Sequence, residues 1–264
     1  MNGNGKENNN NPAVDRALNI LEYLTTVKSA TIKELSEQLT IPIVSASRLV
    51  KTLLHRGYLN EKKGYSASYS LGMKLLSFSQ IVYEQIDLRR IAEKHMRSLS
   101  DATNQTSQLG ILQKNSVVYI DQTLPRSPVS IIAPLHTALP LNVSACGKVL
   151  CAFLPPEERA LCIEKAELVK STKQSITDKQ EYASELDKAY SDGFAVDIEE
   201  FAKGIGCMAA PILNHTGNII AAVGITGHIE SYIDKDDFER LSKSVQIAAK
   251  RISEEIGYVL KQES

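Results

Sequence analysis

The chain has 264 residues, 43% hydrophobic and 23% charged, values close to a globular average that exclude wholesale disorder. Its length fits one large domain or two ordinary ones, and no apolar run nears the ~18 to 20 residues that a membrane-spanning helix needs. The net charge of −1 hides a split: residues 1–74 hold ten Lys and Arg against six Asp and Glu, and residues 75–264 hold twenty against twenty-five. A basic front segment on an acidic body points to a polyanion partner for the front.

Residues 1–11, rich in Asn and Gly, read as a disordered tail without the apolar core of a secretory signal. A first helix is expected from Pro12, with Ala13, Val14, Ala17, Leu18, Leu21 and Leu24 forming an apolar stripe. A second opens at Thr31-Ile-Lys-Glu34, a capping box, and ends at Ile41-Pro42, because the residue before Pro is pushed out of helical angles. The third runs from about Pro42 to His55, with Val44, Leu49, Val50, Leu53 and Leu54 inward, and Gly57 stops it. Two short runs around Glu61-Lys-Lys-Gly64 then predict a β-hairpin. Three helices, the last two joined by a short turn, followed by a hairpin make a winged helix-turn-helix over residues 12–72.

Residues 73–90 are expected to be a linker helix through Leu75, Leu76, Phe78, Ile81, Val82 and Ile86. Residues 91–264 read as an effector-binding and oligomerisation domain of α+β class, since strands and helices follow one another too irregularly for a doubly wound parallel sheet. Helices are expected at about Arg89–Ser100, Ala145–Ala152, Pro156–Lys165, Lys179–Ser191 and Asp236–Tyr258. Strands are expected at Ser107–Leu112, Val117–Asp121, Val129–Ala133, Gly193–Asp197, Cys207–Leu213 and Ile219–Gly224.

The third helix carries the chemistry of a major-groove reader. Ser45, Ser47 and Thr52 are short enough to let a helix approach the base pairs, and Arg48 and Lys51 reach base edges or phosphates. Lys62 and Lys63 at the hairpin tip suit a phosphate or minor-groove contact.

Enzymatic motifs are missing from the sequence. The five His (55, 95, 136, 215, 228) form no HExxH spacing, and there is no GxSxG elbow or Walker loop. Cys207, Asp197 and His215 alone do not make a thiol triad. The four Cys (146, 151, 162, 207) show no CxxC, which argues against a disulfide framework and a zinc ribbon and makes the cytoplasm the expected compartment. No metal, cofactor or catalytic residue is expected.

In order along the chain stand Arg16-Ala-Leu-Asn-Ile-Leu21, Thr31-Ile-Lys-Glu-Leu-Ser36, Ser45-Ala-Ser-Arg-Leu-Val-Lys-Thr-Leu53, Gly57-Tyr-Leu59 and Tyr69-Ser-Leu-Gly72. They are followed by Pro140-Leu-Asn-Val-Ser-Ala-Cys-Gly-Lys-Val-Leu150, Gly193-Phe-Ala-Val-Asp-Ile-Glu-Glu200 and Gly204-Ile-Gly-Cys-Met-Ala-Ala-Pro211. In this order and at these separations the sequence resembles bacterial transcription regulators of the isocitrate-lyase-regulator (IclR) type, over nearly the whole chain after residue 12. The resemblance implies a winged-helix reader joined by a helix to a GAF-like effector domain. It also implies a homodimer or dimer of dimers on palindromic double-stranded operator DNA, controlling a small catabolic gene cluster, with repression as the expected sense. The effector it implies is a small carboxylate or aromatic acid, in a pocket carried over to Asn142, Ser144, Ala145, Asp197, Cys207, Gly224 and Thr226.

The sequence departs from the family pattern at four positions. Thr40 and Pro42 stand where Gly and a capping Ser are frequent, Asn142 replaces a frequent His, and Gly224 removes a frequent Ser hydroxyl. Fewer donors imply an effector larger or less acidic than a two-carbon acid. A second reading keeps the DNA reader and makes the cysteines an oxidant sensor, with Cys146, beside Lys148 at a helix start, as its best candidate.

Overall fold

A computed structural model describes residues 11–62, 64, 66–78, 87–128 and 130–259. The chain divides into two compact units, Met1–Ile86 and Asp87–Ser264.

In the first unit α1 (Pro12–Thr26) is capped by Asn11, whose Oδ1 accepts from the Ala13 amide at 3.1 Å. Asn11, counted in the tail expected over residues 1–11, therefore belongs to the cap of α1, and residues 1–10 lie outside the described residues. Ile20 and Leu24 face the core, whereas Val14 and Leu18, placed in the inward stripe by spacing alone, are exposed. α2 (Ile32–Gln38) has the capping box in full, with Glu34 Oε2 accepting from the Thr31 amide and Thr31 Oγ1 from the Glu34 amide. α3 (Ile43–His55) buries Ala46, Val50 and Leu53, one stripe at helical spacing. Val44, expected inward, lies opposite that stripe and is 70% exposed.

The wing has three strands in the order β1-β3-β2: β1 (Ala30–Thr31), β2 (Leu59–Lys62) and β3 (Ser68–Leu71). β2 and β3 pair antiparallel from Leu59↔Leu71 to Lys62↔Ser68, the expected hairpin. The two-residue β1 is too short to leave a periodic signal.

The helix expected over 73–90 is not continuous. Residues 74–78 are helical, residues 79–86 lie outside the described residues, and α4 (Leu88–Thr103) starts afresh from Asp87, whose Oδ1 accepts from the Arg90 amide. The extended backbone at Asp87 makes a new helix start.

The second unit is α+β, as the sequence indicates, around a six-stranded sheet in the order β6-β5-β4-β9-β8-β7 with antiparallel pairing throughout. Its strands are β4 (Thr106–Gln113), β5 (Ser116–Thr123), β6 (Ala138–Leu139), β7 (Ala195–Ile198), β8 (Ile205–Leu213) and β9 (Ile219–His228). α5 (Ala145–Ala152), α6 (Pro156–Lys165) and α7 (Lys179–Asp192) begin where the sequence places them. α8 (Glu230–Ile233) is short, and α9 (Lys235–Glu255) closes the chain's regular structure.

Strand alternation puts Ala209 and Ala222 into one core cluster with α5 and α7. Their fully buried neighbours Met208, Ala210, Ala221 and Val223 face the other way, where α4 and α9 pack against the sheet. With both faces covered, the strands read as continuous apolar runs.

Two strand expectations are corrected. Gly193 does not open a strand; with φ +75° it is the left-handed cap that ends α7, and β7 begins at Ala195. Residues 130–133 are not a strand, and Val129 lies outside the described residues. Pro128 and Pro134 flank that segment, and the Ala133 amide donates to Gln122 Oε1 at 3.2 Å instead of to a ladder. α5 lies close against the chain before it: a Cβ on Gly147 would stand 2.6 Å from the Leu141 carbonyl oxygen, so only glycine fits there.

Candidate nucleic-acid interface and ligand pocket

At ~100° per residue, α3 presents Arg48 and Lys51 on the face opposite its buried stripe, with Ser47 at the stripe's edge. Arg48, Lys51 and Thr52 are exposed, and Ser45 and Ser47 are half-buried. The turn before α3 is closed from α2, with Ser36 Oγ donating to the Ile41 carbonyl at 2.7 Å and the Ile41 amide donating to the Ser36 carbonyl. Within it Thr40 sits at φ +51°, a left-handed conformation costly for a β-branched residue. Pro42 precedes the helix with no side-chain cap, where a Ser would supply one. Lys62 is exposed at the end of β2, and Lys63 lies outside the described residues.

In the second unit a pocket encloses about 460 Å³, open solvent at its mouth included. Of the seven candidate ligand residues, Ser144, Asp197, Cys207 and Thr226 line it together. Ser144 caps α5 by accepting from the Gly147 amide at 3.2 Å, and its Oγ lies 3.0 Å from the Tyr119 hydroxyl. Thr226 Oγ1 donates to Gln108 Oε1 at 3.0 Å and lies 3.3 Å from Cys207 Sγ. Asp197 is 1% exposed; its Oδ1 accepts from the amides of Glu200 (2.7 Å) and Phe201 (3.3 Å). Its Oδ2 is buried without a partner.

Burial pushes the Asp197 carboxyl up, with the Glu200 amide and the Lys148 ammonium pulling it back. Burial, then the neighbouring Asp197, pushes the Cys207 thiol well up. Burial does the same to the Tyr119 phenol, so both stay neutral donors.

The other three candidates serve the fold. Asn142 is fully buried, donating from Nδ2 to the carbonyls of Val169 and Ile176, both at 2.8 Å, and accepting from the Val169 amide, so it pins the 169–176 loop. Ala145 is buried as the first residue of α5. A Cβ on Gly224 would stand 2.8 Å from the Met208 carbonyl and 3.0 Å from Cys146 Sγ, so the glycine is set by close packing rather than by a missing hydroxyl.

Sequence reading missed Gln108, Tyr119 and Phe201, and the apolar wall of Ile131, Ile132 and Pro134. Period-2 alternation in β4 and β5 marks Gln108 and Tyr119 as facing one side or the other. It does not say on which face the pocket opens.

Behind the pocket lies a buried ionic cluster. Lys148, 0% exposed, donates from Nζ to Glu200 Oε1 (2.6 Å), the Val196 carbonyl (2.9 Å) and Glu185 Oε1 (3.3 Å). Burial raises Glu200 to about 7 against the pull of Lys148. Glu199, held at φ +56°, accepts the Gly204 amide at 2.7 Å, so the Glu199-Glu200 pair is structural rather than a solvated surface pair.

The cysteine-sensor reading is not supported. Cys146 is buried and its thiol is pushed up to about 12, the opposite of the electropositive, accessible setting a reactive thiolate needs. Among the described residues no group of three His, Cys, Asp or Glu could hold a metal ion, and no helix is long and apolar enough to cross a membrane.

Comparison with known proteins covers both units. Residues 13–62 match the IclR helix-turn-helix domain and residues 80–254 match the C-terminal domain of bacterial transcriptional regulator IclR. The chain is 30% identical to the HTH-type transcriptional regulator KipR of Bacillus subtilis over 250 residues, 95% of this chain and 99% of KipR. It is also 30% identical to the HTH-type transcriptional regulator KdgR of Escherichia coli, over 93% of both chains. The Thermotoga maritima IclR crystal structure superposes with a TM-score of 0.62 at 27% identity, over 93% of this chain and 98% of that one. Two domain matches in the right order and full-length relatives at this identity place the chain in the IclR family of bacterial transcriptional regulators.

Proposed function

We propose that this regulator represses a catabolic gene cluster by binding operator DNA through α3 and the wing, and that a small-molecule effector in the pocket around Asp197 controls that binding. The observation that carries the effector reading is the buried, unpartnered Asp197 Oδ2 in a pocket that also presents Ser144 and Thr226. A ligand donor satisfies that oxygen, which is otherwise costly to bury alone.

The lining favours an effector with an apolar body. Among the described residues its walls are largely apolar: Ile131, Ile132, Pro134, Leu139, Val143 and Phe201. An aromatic acid, or another acid with an apolar body, suits it better than a two-carbon acid. Its carboxylate would meet the hydroxyls of Ser144 and Tyr119 near the N-terminus of α5, where the helix dipole favours an anion. Calorimetry showing tight glyoxylate binding would contradict this class.

A repressor role is supported by relatives such as the HTH-type transcriptional repressor AllR of Klebsiella pneumoniae, 29% identical over 93% of this chain. The working form is a cytoplasmic homodimer or dimer of dimers. Effector and operator are coupled only to the extent that the effector binds one arrangement of the dimer's two reading helices better than another.

Fluorescence anisotropy on DNA upstream of the chain's own gene, beside scrambled DNA at two salt concentrations, tests the reading. Preference for the upstream duplex with a steep salt slope is expected. Absence of binding to either duplex, with and without candidate acids, would end it.

A further inference from the structure

Val44, the second residue of α3, is the more exposed of the two apolar residues that open the reading helix, the other being Ile43 at 55%. Three, four and seven residues on from Val44 stand Ser47, Arg48 and Lys51, all polar or basic. The side chain is 70% exposed, while Ala46, Val50 and Leu53 fill the core side. Folding does not account for it: exposed there, a β-branched residue gains no burial and costs a few tenths of a kcal/mol against Ala in helix propensity. Binding can. The first residues of a recognition helix are those that meet base edges. A side chain with no donor or acceptor cannot read a hydrogen-bonding edge, and the apolar group displayed in the major groove is the thymine 5-methyl. The single preferred χ1 of a helical Val means that little side-chain freedom is lost on contact.

Resting on the DNA-reading function above, we infer that Val44 is a specificity-determining residue that packs on the 5-methyl of a thymine in each operator half-site. Arg48, one turn further along the same row, supplies the polar contact beside it.

The test uses the full-length chain and duplex selected by it from a random pool. Each thymine of the selected half-site is replaced in turn by deoxyuridine, which keeps the base pair and removes only the methyl. At one position the wild-type protein should lose roughly fourfold in affinity, the worth of burying one methyl group. Val44→Ala, exposed and a better helix former, keeps the fold by circular dichroism and should shrink the difference between thymine and deoxyuridine duplexes, because its shorter side chain buries less of the methyl. The inference is overturned if no thymine shows a methyl effect, or if the penalty persists unchanged in Val44→Ala. Binding without selection of any sequence would overturn the sequence-reading function itself, and that result is distinct from either of these.

Discussion

Replacing Lys148 with Met removes the cation that contacts Glu200 in the buried cluster and keeps the volume nearly constant. Three acceptors lose their donor: Glu200 Oε1, the Val196 carbonyl and Glu185 Oε1. Breaking a buried pair in this way costs about 3–5 kcal/mol where the remaining charge must stay ionised. Glu200 has an escape, because it can take up a proton. In the native protein its carboxyl already lies near 7, raised from an ordinary 4.5 by burial.

A raised folded pKa on an acid means that the folded state holds a proton the unfolded chain has released. Stability from this group is therefore full below about 4.5 and declines as pH rises to about 7. Without Lys148 the folded pKa rises further, so the decline continues above 7 in the variant while the wild type is flat. The gap between the two should be about 1–3 kcal/mol at pH 5, where Glu200 is protonated in both and the ammonium's hydrogen bonds to it, to the Val196 carbonyl and to Glu185 are lost, and should widen by up to about 1.4 kcal/mol per pH unit above 7. Urea unfolding followed by circular dichroism, with hydrogen exchange of the β7–β8 amides reporting the second unit, measures it. An equal loss at pH 5 and pH 8.5 would refute the electrostatic account, and so would a variant as stable as the wild type at both.

Further perturbations separate the remaining roles. Thr40→Gly should stabilise the first unit by about 1 kcal/mol by relieving the left-handed backbone at φ +51°, seen as a melting transition higher by roughly 4–8 °C; an unchanged or lower transition would count against strain there. Gly224→Ser should destabilise the second unit by about 1–3 kcal/mol, because its side chain meets the Met208 carbonyl and Cys146 Sγ, and denaturant midpoints would show it. Arg48→Ala should lower the preference for operator over random DNA, whereas Lys62→Ala should weaken both alike and reduce the salt slope by about 1; equal losses on both DNAs for Arg48→Ala would remove it as a base reader. Native protein at pH 7.5 should leave Cys146 unlabelled by iodoacetamide over times that fully label unfolded chain, as its buried thiol held near 12 requires.

Local signals carried the secondary structure well where they were dense. The capping box at Thr31 and Glu34, the Pro starts at Pro12 and Pro156, and the Gly57 stop are decided within a few residues, and those boundaries agree with the structure. Periodicity alone was weaker. Val14, Leu18 and Val44 fit an inward stripe by spacing yet are exposed, because spacing fixes which residues share a face and not which face the rest of the domain covers. The break at Asp87 was hidden because apolar residues continue at helical spacing on either side of it.

Taken by itself, the sequence determined the class of the protein. Its motifs, in order, specify a basic winged helix-turn-helix ahead of an α+β domain, and the resemblance they carry implies one pocket that includes Ser144, Asp197, Cys207 and Thr226. Tertiary structure decided which of the named residues line the pocket. Asn142 and Gly224 sit in the same motifs as true lining residues, but one is consumed by the 169–176 loop and the other by contact between β9, β8 and α5. The structure also brought Gln108 and Tyr119 to the pocket, and buried Lys148 against Glu200 from 52 residues away. Such partnerships arise from strand pairing and from helices laid across a sheet, which join residues with no local relation in sequence, so only the folded chain displays them.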